Sequence, residues 1–101
     1  MSKIKKIMST DKDYKMYIGQ GRLDEAIAEL DSLLGEVGLP AARRAALLVA
    51  RGKAWWGLGD RRKALNDYEE AAQLDPSGPG RALVEHTMSI LDFYDTTLYN
   101  P

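Results

Sequence analysis

At 101 residues, 45% apolar and 29% charged with a net charge of −1, the chain has the makeup of one small folded domain rather than a disordered segment or two domains. It has no cysteine and a single histidine, His86, which excludes disulfides, thiol catalysis, cysteine-ligated zinc and any multi-histidine metal centre. No apolar run approaches the ~18 residues of a membrane span, and no apolar stretch follows Lys3, Lys5 and Lys6 to complete a signal peptide. The expectation is a cytoplasmic protein with no membrane partner and no cofactor.

Glycine and proline punctuate the chain into five segments. The first ends at Gly19-Gln20-Gly21 and has two possible starts. Thr10 with Asp13 forms a capping pair that starts a helix near Asp11, whereas Ile4, Ile7, Met8, Tyr14 and Ile18 suit one longer helix from near Lys3. In the second segment Leu23, Ala26, Ile27, Leu30, Leu34 and Val37 share one helical face. The third, Pro40 to Leu58, reads as a helix with proline near its first turn. In the fourth, Ala64, Leu65, Tyr68, Ala71 and Ala72 line up, and Pro76 to Gly80 ends it. The fifth places Val84, Met88, Leu91 and Tyr94 or Asp95 on one stripe. No segment alternates with period two, so the fold is all-α.

The chain also repeats itself. Gly21-Arg22-Leu23-Asp24-Glu25-Ala26-Ile27 corresponds to Gly59-Asp60-Arg61-Arg62-Lys63-Ala64-Leu65, and Tyr17-Ile18 corresponds to Trp55-Trp56 upstream. On Leu48, Arg51-Gly52, Trp55, Gly59, Ala64, Tyr68, Ala71 and Pro76 the chain resembles the tetratricopeptide repeat family. Gly52 and Ala64 are small where paired helices cross, Trp55 and Tyr68 fill the space beside them, and Gly59 suits a left-handed helix end. Arg51 stands where leucine is usual and should lay its stem on the core with its head in solvent. A weaker copy carries Tyr17, Gly21, Ala26, Leu30 and Leu33, with Tyr14 where glycine is usual. The tail from Leu91 is similar to the ending of short bacterial proteins of this family.

The resemblance implies a right-handed α-solenoid of two helix hairpins plus a C-terminal capping helix, five helices in one domain spanning 1–101. Residues 1–7 form a dispensable extension, because Met8 is an alternative start. Repeat 1 covers 8–38, repeat 2 covers 39–78, and the cap and tail cover 79–101. Phe93, Tyr94, Leu98 and Tyr99 are expected to cover the open end of the stack.

Charge is segregated along the chain. Residues 1–22 carry +4, 23–38 carry −5, 39–64 carry +6 and 65–101 carry −6. The first helix of each pair is therefore basic, and the resemblance implies that these helices line a basic concave groove. Lys15 and Lys53, one repeat apart, take the same groove position, with Met8, Ile18, Val49 and Trp56 as apolar neighbours. Asp11 and Ala50 stand where a full carboxylate clamp would need other residues, so that clamp is expected to be absent. A plainer reading has the basic helices simply neutralising their acidic neighbours. Adjacent helical residues point about 100° apart, so Trp55 is assigned to the core and Trp56 to the groove or the next repeat.

His86 beside Glu85 lacks a nucleophile or a second positioned carboxylate, so no enzyme is expected. The Arg43-Arg44 and Arg61-Arg62 pairs do not make a continuous basic footprint at a pI near 5.8, which argues against nucleic acid. The function expected is a non-catalytic module that binds a peptide or helical segment of another protein, with an acidic partner favoured. The alternative is self-association through the groove or the aromatic tail, with the balance favouring a monomer.

Overall fold

The computed structural model describes the backbone of residues 11–99 and the side chains of residues 13–91. The Thr10 cap, the alternative start near Lys3, the groove position of Met8, and the covering role of Phe93, Tyr94, Leu98 and Tyr99 lie outside the described residues. Among the described residues five helices follow one another: α1 (Asp11–Gly19), α2 (Leu23–Leu34), α3 (Ala41–Gly57), α4 (Arg61–Leu74) and α5 (Gly80–Tyr99). Each packs on its successor, and no strand forms among the described residues.

The two hairpin turns are built identically. Arg22 N–H donates to Tyr17 C=O at 2.8 Å and Asp60 N–H to Trp55 C=O at 2.9 Å. Inside these, Gly21 N–H donates to Ile18 C=O and Gly59 N–H to Trp56 C=O. Such paired bonds satisfy the last carbonyls of a helix and require a left-handed residue, supplied by Gly21 at φ 76° and Gly59 at φ 88°. After the second turn the Asp60 carboxylate accepts from Lys63 N–H and caps α4. At the far end α4 stops at Leu74, just before Asp75-Pro76.

Close approach of α3 and α4 depends on Gly52. A Cβ there would lie 2.5 Å from the buried Tyr68 ring, so no larger residue fits without displacing it. Gly80 brings α5 equally close to α4, where a Cβ would meet Ala72 N at 2.8 Å. Ala26 and Ala64, matched across the repeat, are both fully buried. A continuous core joins Tyr14 of α1, Leu30, Leu33 and Leu34 of α2, and Leu47 and Leu48 of α3. Leu30 and Leu47 are completely enclosed, each contributing about 1.5–3 kcal/mol through burial.

Several expectations are corrected by this packing. Val37 does not share the buried face of α2. The helix ends at Leu34, and Val37 stands wholly exposed in the loop beyond Gly35. Along α5 the inward stripe is displaced by one residue: Leu83 packs on the core and Thr87 is 1% exposed, while Met88 is 42% exposed. The close contact at Gly80 sets the rotation of α5 on α4 and turns Met88 outward. Leu65 and Ala72 are half-buried.

Arg51 does not release its head to solvent. Its Nε and Nη2 donate to the two oxygens of Asp67 on α4, at 2.9 and 2.8 Å, and Nη1 donates to Asp31 on α2 at 2.7 Å. Asp67 is 5% exposed, so this charge is buried and neutralised in place. The hydrogen bonds to Asp67, opposed by burial and reinforced by Asp31, raise the guanidinium pKa further above its already high value.

Two predictions follow from these contacts. Asp67→Ala leaves a half-buried guanidinium with one exposed partner, and chemical denaturation should register a loss of about 2–3 kcal/mol. Retention of wild-type stability would show that the pair does not hold the helices. Glu29 behaves in the opposite sense. Burial, together with the charge of Asp13 on α1, raises its carboxyl pKa, and its Oε2 is buried without a hydrogen-bond partner. Because the folded state holds this proton more tightly than the unfolded state, ionised Glu29 weakens the fold above its folded pKa, and the cost vanishes as acid protonates both states. Glu29→Gln should therefore raise the Tm at pH 7, with the gain shrinking as the pH falls through the carboxylate range. A gain independent of pH would contradict this assignment.

Candidate functional site

The opposite faces of α3 do different work. Helical residues two apart point about 200° apart, so Arg51 and Lys53 face away from each other. On the Arg51 side lies a polar cleft of about 390 Å³, where Trp55, Lys63 and Glu70 surround the Arg51–Asp67 pair. Trp55 is half-buried at this cleft, with Lys63 Nζ 4.4 Å from its ring centroid, and so does not belong to the closed core to which the sequence assigned it. An arginine occupies the neighbouring position, and its two carboxylate partners keep this side of the tryptophan polar and open.

On the other side α3 presents Ala42, Ala46, Val49, Lys53 and Trp56, spaced by four, three, four and three residues along one face. Short loops reverse the chain twice between α3 and α5, so these helices run in the same direction beside each other. Two hollows open along this face of α3, both floored by α4: one against the loop that leads into α5, the other against α5 itself. One, about 160 Å³, is lined by small and apolar groups, with Val49 and Ala71 at its wall and Asp75 and Pro79 at its end. The other, also about 160 Å³, is lined by Lys53, Trp56, Tyr68, Leu83, His86 and Thr87. They follow one another from the N-terminal to the C-terminal part of α3, a groove with two separate hollows that share no lining residue.

Lys53 is exposed and makes no ion pair among the described residues. Trp56 is half-buried: the Arg61 guanidinium lies 4.7 Å from its ring centroid, and the His86 ring lies 6.4 Å away at a tilted angle. Tyr68 forms the floor, and burial, with a smaller effect from Asp67, raises its phenol pKa and keeps it neutral.

The structure thus sets Val49, Lys53 and Trp56 on one face of α3, Val49 at the first hollow and Lys53 and Trp56 at the second. Val49 is largely buried, its side chain serving as wall rather than exposed surface. Lys15 is exposed on α1 and Ile18 packs onto the core, so neither lines this groove. Tyr17 is half-buried, with the Arg22 guanidinium 4.8 Å from its ring centroid. Sequence reading missed the contributions of Arg61 and His86. The adjacent Arg61-Arg62 pair gave no sign of which member stacks, and His86 acquires its place only once α5 is docked.

Fold and groove together define a helical-hairpin repeat protein with an open surface between successive first helices. A family model described as tetratricopeptide repeat matches residues 45–77, the α3–α4 hairpin. The solution NMR structure of Bacteroides fragilis protein BF1650 is similar over nearly the whole molecule, with a TM-score of 0.74 and 33% sequence identity, covering 90% of this chain and 91% of that one. No curated protein matches the chain. The chain belongs to the tetratricopeptide repeat family, whose repeats generally mediate protein–protein interaction. No helix among the described residues is long and apolar enough to cross a membrane.

Because Lys53 is exposed and unpaired, Lys53→Glu should change stability by less than about 0.5 kcal/mol, visible as a nearly unchanged Tm. A large drop would mean that Lys53 has a structural partner rather than an open groove in front of it.

Proposed function

We propose that the protein is a non-catalytic interaction module that holds a peptide or helical segment of another protein between α3 and α5. The observation that carries this reading is the stripe from Ala42 to Trp56, which puts two hollows and an exposed cation without an ion-pair partner among the described residues on one face of α3. A half-buried tryptophan beside an apolar channel is the kind of anchor that carries binding energy. Lys53 at its edge favours an acidic partner and speeds encounter through long-range attraction. A pull-down from native lysate tests the reading. A species retained by wild type should be lost with Trp56→Ala and weakened with Lys53→Glu, and kept with Glu70→Lys on the opposite face. Equal loss from the opposite-face variant would overturn it.

A second reading, self-association, draws on Met88, which is 42% exposed on α5 between half-buried Val84 and Leu91. A mass by light scattering that stays monomeric as concentration rises removes it.

A further inference from the structure

We infer that the groove reads its ligand at two points, an apolar side chain at the Val49 end and a carboxylate at the Trp56 end, in an acidic peptide segment. This rests on the groove being the binding site and adds what it selects and in which orientation. The two hollows differ in chemistry. Around Trp56 stand three nitrogen donors from three helices: the Lys53 ammonium, the Arg61 guanidinium and the His86 imidazole. No carboxylate lines that hollow, neither Lys53 nor Arg61 has an ion-pair partner among the described residues, and Arg61 Nε is buried without a hydrogen-bond acceptor. Lys53 and His86 line the hollow and Arg61 stacks on the Trp56 ring at its side, a set of donors without carboxylate partners that suits a carboxylate, whose oxygens accept more than one of them.

The Val49 hollow is the reverse. Its walls are alanine, valine and proline, and its one charged group is Asp75, a carboxylate that repels another. An acidic group is therefore directed to the Trp56 end and an apolar one to the Val49 end. Nine residues of helix rise separate the mid-points of the two linings on α3, roughly 13 Å. An extended chain covers that distance in about four residues.

Acetylated peptides of the form Val–(Ser)n–Glu with an amide terminus, carrying one to about six serines, test both the chemistry and the spacing. A matched set has Gln in place of Glu, and a third has Gln with a free C-terminal carboxylate. Binding is read from the two indole N–H signals in ¹⁵N NMR spectra, assigned with Trp55→Phe and Trp56→Phe. The Trp56 signal should move and the Trp55 signal should not. Affinity should peak at about three serines and fall about tenfold in the amidated Gln set. Arg61→Gln should lose about fivefold for the Glu peptides and nothing for the amidated Gln peptides. Tighter binding of the free-terminus set would assign the carboxylate to a chain end; tighter binding of the Glu set would assign it to a side chain. Equal affinity of the Glu and amidated Gln sets at Trp56, or no dependence on spacer length, overturns the two-point inference while leaving the groove as the binding site. A response confined to Trp55, or none at either indole, overturns both.

Discussion

Arg51 ties three of the five described helices to one another. From α3 it reaches the buried Asp67 on α4 with two hydrogen bonds and Asp31 on α2 with a third. One planar, permanently charged group thereby fixes both the rotation within the second hairpin and the joint between the two hairpins. A leucine there would add apolar area without direction. The carboxylate pair adds direction, because its bonds are satisfied only when α2, α3 and α4 stand in one relative orientation.

That fixation has a consequence on the far side of α3. With Arg51 held between α2 and α4, the helix must turn Val49, Lys53 and Trp56 the other way, toward α5. Gly52 and Gly80 then set how deep the resulting channel is. The first lets Tyr68 come up against α3 as the floor, and the second lets α5 settle low on α4 as the opposite wall. Larger residues at either place would separate the helices and open the channel. The groove is thus a product of packing constraints elsewhere in the stack.

The charge pattern resolves along the same line. Arg51 on α3 neutralises acids of both neighbouring helices, the arrangement that the plainer reading expects. That pairing lies on the side of α3 turned away from the groove. On the groove side Lys53 and Arg61 stay without carboxylates, and Arg61 lies against an aromatic face instead. A field that would cancel if spread evenly is left standing over a few residues, where it can act on a ligand at short range.

Much of the architecture follows from the sequence by itself. The helical spacing, the glycine turns and the 38-residue offset between Gly21 and Gly59 specify paired helices, because these signals act within a few residues of chain. The small residues at Gly52 and Ala64 were legible for the same reason: only close helix contact accounts for them at those repeat positions. Half of the groove was legible too, since Val49, Lys53 and Trp56 lie within two turns of one helix. Tertiary structure alone decided the rest. Arg51 turned inward because acids distant in sequence, Asp31 and Asp67, converge on it. Thr87 rather than Met88 faced the core because Gly80 set the rotation of α5 against α4. His86 and Arg61 came to Trp56 through the docking of two further helices. Local periodicity fixes which residues share a face, but only contacts between faces determine where each face points, and those depend on side chains far apart in the chain.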